Sequence, residues 1–210
     1  MAKKRFENDE NEPGFSFGRI SSFHPLKTMI YVIIAGVTVL FLSMMILFAL
    51  SRPELQLGGQ RFPKAFFLST ILILAGSFFI QRAARAFARE RPDLLHRHLL
   101  ITAALALGFS ASQYWGWTQL WNTGIHLKGT PSGAFLYVIS GLHLAHLAGG
   151  LLFLALSIFK AQRAKNDPLK GMVYFTDPVE KIRIEMLAKY WHYFDALWIV
   201  LFLYFLWFFV

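Results

Sequence analysis

Five long apolar runs divide the chain: Thr28 to Leu50, Ala65 to Gln81, Leu99 to Trp121, Ala134 to Phe159 and Tyr190 to Val210. A bilayer core is crossed by roughly 20 apolar residues of helix, so each run is a candidate span. Only the fifth contains an acid, Asp195. The second is short, bounded by Lys64 and Arg82, but Ala83, Ala84, Ala86 and Phe87 extend it to about residue 87 as an amphipathic continuation. The pattern predicts an all-α integral membrane protein with five transmembrane helices, over 28–50, 65–87, 99–121, 134–159 and 190–210. Buried helices of a soluble protein are the alternative, but five such runs in 210 residues leave almost no polar surface to face water.

Composition supports the membrane. The chain is 56% hydrophobic with 22 Phe and 6 Trp against 12 acids, which suits lipid-facing helices with aromatic rings near their ends. The formal charge of +9 could suggest a nucleic-acid partner, so the placement of the 21 basic residues decides. Five lie in 1–27, three in 51–64, five in 82–98, one in 122–133 and seven in 160–189. With five crossings, 17 of them fall on one side and four on the other. The positive-inside rule makes the richer side cytoplasmic, so the N-terminus is expected in the cytoplasm and the C-terminus in the periplasm. The basic residues form no continuous stripe, and no nucleic acid is expected as a partner.

Residues 1–27 mix Lys3, Lys4 and Arg5 with Glu7, Asp9, Glu10 and Glu12 and lack the apolar core of a secretory signal. They read as a cytoplasmic tail ahead of a single transmembrane domain over 28–210. With no cysteine, disulfides and thiolate metal sites are excluded. No glycine-rich phosphate loop or nucleophile elbow occurs.

Polar side chains inside a span are the remaining candidates, because each costs free energy unless it is paired. His143 and His146 lie three residues apart on one face of span four, a spacing that could bind a metal or tie helices together. Gly141, Ala145 and Gly149 form a small-residue stripe suited to close helix approach. His192 and Asp195 share a face of span five and can pair. A rise of about 1.5 Å per residue puts Asp195 roughly 10 Å nearer the cytoplasm than the two histidines, which argues against one metal site built from all three. Gln113, His143 and Ser43 fall at similar depths and suggest a buried polar cluster. Structural glue is favoured over a proton relay, because no acid is expected at that depth.

The opening of span five, Tyr190-Trp191-His192-Tyr193-Phe194-Asp195-Ala196-Leu197-Trp198, closely resembles the Tyr-Trp-His-Phe-Val-Asp-x-x-Trp opening of the last helix of cytochrome c oxidase subunit III. Gly141-Leu-His143 through His146 to Gly150 is similar to that family's Gly-x-His-x-x-His-x-x-x-Gly segment. Thr102 through Leu107-Gly108 to Gln113 is similar to its Thr-x-x-Leu-Gly-x-x-Phe-x-x-x-Gln segment. The resemblance covers about Arg61 to Val210 and fits the short bacterial form of five helices. Two departures stand out. Met44 occupies the place of a usual buried glutamate, and Gly116 stands where an acid commonly precedes the aromatic residue, here Trp117.

The resemblance implies an accessory subunit of a respiratory haem-copper terminal oxidase in the bacterial inner membrane. It implies no catalytic, metal or cofactor-binding residue in this chain, with haem and copper held by partner subunits. Oxidase subunit I would be the main contact, with subunit II, other oxidase subunits, structural phospholipids and a larger respiratory supercomplex as further partners. On that basis Gln113, His143, His146, Trp191, His192, Asp195 and Trp198 are expected to tie helices together or pack against lipid. The equivalent subunit of a quinol oxidase or nitric oxide reductase, and a stand-alone membrane enzyme or transporter, are the alternatives.

Overall fold

Proline and capping residues set the helix starts in a chain whose apolar runs favour helix throughout. The computed structural model describes residues 25–51, 53, 57, 59 and 61–209, so most of the expected tail lies outside the described residues. Five long helices run α1 (Pro25–Leu50), α2 (Lys64–Ala88), α3 (Pro92–Asn122), α4 (Pro131–Asn166) and α6 (Pro178–Phe209), with a short α5 (Pro168–Thr176) between the last two. All five are long and apolar enough to cross a membrane.

Three of them outrun the spans expected from the apolar runs. At about 1.5 Å per residue, the 36 residues of α4 make a rod of about 54 Å, against a hydrocarbon core of about 30 Å. The stretch 160–189 is therefore not a loop but the end of α4, all of α5 and the start of α6. Each break there is an Asp-Pro step. The Asp167 carboxylate accepts from the backbone N–H groups of Leu169 and Lys170, and the Asp177 carboxylate accepts from that of Val179. Proline at the first helical position has no N–H to leave unsatisfied. Hydrogen bonding to Lys170 also holds the exposed Asp167 carboxyl below its ordinary range.

The α2–α3 turn is tighter. The Arg91 N–H donates to Ala86 O and the Glu90 N–H to Phe87 O, both at 3.0 Å, the two bonds of a Schellman ending. Glu90 takes the left-handed conformation that glycine usually fills there, φ 52°.

Contacts sort the bundle into two ends. At one, Lys165 pairs with Asp93 at 3.3 Å, Lys160 and Arg183 both pair with Glu180, Phe87 packs on Tyr174, and Lys189 reaches Tyr31 near the start of α1. At the other, Ser51 bonds Ser132 at 2.7 Å, Gln119 accepts from the Ala65 N–H, and Phe62 packs on Phe209. The chain thus enters α1 at the charged end and leaves α6 at the opposite one, as five alternating crossings require.

The core follows α6. Its buried face, Trp191, Phe194, Trp198, Leu201, Phe205 and Phe209, packs against α1, α2 and α4. Behind this face, Gly116 on α3 meets Phe66 on α2. A Cβ there would lie 2.3 Å from Cε1 of Phe66, a ring that is itself buried against Trp198. The acid expected at this place from the resemblance has no room here. Gly116→Ala is predicted to destabilise the fold by about 1–3 kcal/mol through overpacking. The midpoint of detergent-induced unfolding of the purified chain measures this, and an unshifted midpoint would show that Phe66 yields freely.

Candidate functional site

The sequence-predicted polar residues gather around the middle of α6, in an arrangement that differs from the expected one. His143 is fully buried and stacks on Phe194 with ring centroids 4.0 Å apart; Trp198 lies 5.2 Å away and Phe109 5.7 Å. His143 therefore sits beside the turn of α6 that carries Asp195. The depth gap of about 10 Å expected from span ends does not hold, because α6 starts at Pro178 and Tyr190 lies well inside the helix.

His146 shares the helix and the neighbouring Phe41 ring, but little else. Its Nδ1 lies 2.8 Å from Leu142 O on its own helix, while its ring meets Phe41 edge-on. His192 does not pair with Asp195. Its Nδ1 lies 2.7 Å from Ser77 Oγ and its Nε2 3.0 Å from Gln81 Oε1, so it bridges two turns of α2. With the proton on Nε2, that nitrogen donates to Gln81 and Nδ1 accepts from Ser77, which satisfies both ring atoms.

Asp195 is buried with Trp191 one turn before it, and neither its carboxylate oxygens nor the Trp191 N–H has a hydrogen-bond partner among the described residues. Trp191 fills the space above two glycines: its Nε1 would lie 3.5 Å from a Cβ at Gly76 and its Cζ3 3.9 Å from one at Gly150. Close approach between helices is made at Gly150, where a Cβ would lie 3.0 Å from Cε1 of Tyr190, and at Gly116. The predicted stripe of Gly141, Ala145 and Gly149 does not make it, since Ala145 and Gly149 are exposed and Gly149 has no neighbour within 4 Å of a Cβ.

Gln113 is fully buried and donates to Ser69 Oγ at 3.0 Å. Ser43 is exposed and bonds only back to Val39 O, so it does not join the expected cluster. The aromatic pair of Phe109 and Trp198, 5.2 Å apart and perpendicular, lies against His143 in the same core. Trp198 is the hub: its N–H donates to Thr70 Oγ1 on α2 at 3.1 Å, and its ring meets Phe66, Phe109 and His143. No group of three or more His, Cys, Asp or Glu among the described residues is arranged to hold a metal ion.

A buried histidine under the final helix, a Trp-His-x-x-Asp-x-x-Trp face and five crossings fit one kind of membrane subunit. A family profile described as cytochrome c oxidase subunit III matches residues 24–210. The chain belongs to that family. It is 32% identical over 135 residues to a Mycobacterium tuberculosis protein named "Probable cytochrome c oxidase subunit 3", covering 63% of this chain and 61% of that one. It is 30% identical over 136 residues to cytochrome c oxidase subunit 3 of Schizophyllum commune, covering 64% of this chain and 46% of the relative. With the subunit 3 of Synechocystis the identity is 26% over 136 residues, covering 65% and 53%. The matched stretch thus spans less than two thirds of the length of these relatives. As a member of the family, the chain is a multi-pass membrane protein.

The helices carry a buried histidine, His143, and a half-buried one, His192, and the two predict different mutants. His192→Ala removes two interhelical hydrogen bonds and is expected to destabilise by about 1–2 kcal/mol. His143→Leu removes two ring nitrogens without partners in the chain and forfeits stacking worth about 0.5–1.5 kcal/mol, a near balance. Unfolding midpoints of the two variants compare them directly, and a larger loss for His143→Leu would reveal a polar partner for that ring.

Proposed function

We propose that this chain is the accessory subunit III of a respiratory haem-copper terminal oxidase, and that it acts by holding its neighbours in place. The observation that carries the proposal is the family match across all five helices. Haem and copper reside in partner subunits, with subunit I the main contact. The buried residues of α6, with Gln113, His143, His146, Trp191, His192, Asp195 and Trp198, keep the five helices in register as a scaffold for subunit I, subunit II and structural phospholipids. Support of oxygen reduction and proton uptake through turnover follows from that scaffold role. Residues 28–210 act as one domain, preceded by a cytoplasmic tail.

A test isolates the chain through a tag from gently solubilised membranes and records the visible spectrum, metal content and oxygen consumption of what accompanies it. Haem bands, copper and cytochrome c oxidation are expected. Haem without copper would move the chain to a nitric oxide reductase, quinol but not cytochrome c oxidation to a quinol oxidase, and a colourless preparation would overturn the proposal.

The same proposal puts the chain in the bacterial inner membrane with the charged end of the bundle in the cytoplasm. The basic residues support this, since α2 ends and α3 begins with Arg85, Arg89, Arg91 and Arg97, whereas 122–133 carries only Lys128. The absence of cysteine makes a direct check simple. In intact spheroplasts a membrane-impermeant maleimide is expected to label Lys128→Cys and to spare Arg91→Cys. The reverse labelling would invert the topology.

A further inference from the structure

The charged end of the bundle holds one group of cations that is not neutralised. Arg82, Arg85 and Arg89 recur on one face of α2, and the Schellman turn brings Arg91 to the same corner. With Leu94 and His98 of α3 they line a cavity of about 610 Å³. No acidic residue lines it, and among the described residues none of the four guanidinium groups makes an ion pair. Four other cations at this end are paired: Lys160 and Arg183 share Glu180, Lys165 faces Asp93, and Lys170 faces Asp167. Four positive charges around one hollow repel each other, and a phosphate matches them because guanidinium groups bind its oxygens in pairs.

The same face of α2 continues toward the membrane middle as Phe78, Leu74, Ile71 and Phe67, all exposed large apolar side chains. The Arg82 guanidinium lies over the Phe78 ring at 4.4 Å, which places the junction of charge and hydrocarbon at that turn. From Phe78 to Phe67 the helix rises about 16 Å, and one leaflet of hydrocarbon is about 15 Å deep. A free phosphate has no use for that stripe, whereas a phospholipid needs both parts.

We propose that the arginine corner of the α2–α3 turn binds the headgroup of an anionic phospholipid whose acyl chains lie along the exposed stripe of α2. The site deepens one part of the proposed function, the holding of phospholipids, by giving the lipid's charge and its residues. It depends on the chain's lying in a bilayer and not on its membership of an oxidase.

The test uses the full chain in neutral detergent with an equimolar mixture of phosphatidylglycerol and phosphatidylcholine of identical acyl chains, and counts retained lipids by native mass spectrometry. An arginine near an anionic surface favours it by about fivefold, so a preference for phosphatidylglycerol of at least about tenfold is expected. The triple variant Arg82→Gln, Arg85→Gln, Arg89→Gln is expected to abolish the preference, and Lys160→Gln with Lys170→Gln to keep it. The single variant Arg85→Gln, on an exposed position that leaves the fold intact, is expected to weaken it severalfold. Equal retention of the two lipids, an unchanged preference in the arginine variants, or full displacement by inorganic phosphate would overturn the site. Appearance of the preference only with partner subunits present would do so too, since the corner would then be a protein contact. Oxidase co-purification can succeed or fail independently of every one of these results.

Discussion

Helix α6 has to be held by shape, because in a bilayer the surrounding solvent is as apolar as the side chains it must bury. Water does not press membrane helices together, so close van der Waals contact and a few hydrogen bonds must do so. The sequence meets this with large rings set against glycines of neighbouring helices. Trp191 lies over Gly76 and Gly150, and Phe66 lies between Gly116 and Trp198. Phe66 fits only because Gly116 has no Cβ, and a Cβ at Gly150 would press on Tyr190 at 3.0 Å, whereas Trp191 rests on Gly76 and Gly150 at ordinary contact distance. Trp198 then reaches α2, α3 and α4 at once, so the position of α6 sets that of three other helices.

Hydrogen bonds add direction to this packing. Thr38 with Tyr193 and Tyr204 with Met45 O join α6 to α1, while Ser77 and Gln81 with His192 join it to α2. Tyr190 donates to His146 O and joins it to α4. Tyr190, His192 and Tyr193 lie within one turn of α6 and Tyr204 about three turns further on, so rotation of the helix about its axis would break several together. Rings alone would tolerate a small rotation; hydroxyls and imidazoles aimed at single atoms do not.

Much of this was legible in the sequence, and the failures have a common cause. Apolar runs reported the number of spans, since a bilayer imposes the same length on each. The Tyr190 to Trp198 motif and Gln113, His143 and His192 stood out because polar groups in a span are few; Gln113 and His192 hydrogen-bond a neighbouring helix, and His143 stacks on Phe194. Apolarity ends where lipid ends, but a helix ends where its backbone is capped, so α4 and α6 run on past their apolar runs. The Asp167-Pro168 and Asp177-Pro178 steps were the visible sign of those ends. Depths counted from the runs then misplaced Asp195 relative to His143. Facing is the second gap: Ser43, Ala145 and Gly149 have residue types that suit an interface, yet they point outward, because spacing gives a face without saying which neighbour it meets.

The two ends of the bundle are held by different chemistry, and that difference bears on where each can sit. The end with Ser51, Ser132, Gln119 and Tyr137 is tied by neutral hydrogen bonds, among them Tyr137 to Ile125 O at 2.9 Å. The other is tied by ion pairs around Glu180 and between Lys165 and Asp93. Burial there raises the Tyr174 hydroxyl pKa, Glu180 adding to the effect and Arg183 opposing it, so the group stays neutral beside the charged cluster. Ion pairs need some water or a dense set of partners to offset desolvation, and the long extensions of α4 and α6 carry them clear of the hydrocarbon. Neutral hydrogen bonds carry no such cost and can lie close to the lipid boundary. The bundle therefore projects from the membrane at its charged end, where α5 and the α2–α3 turn lie, and ends close to the boundary at the other.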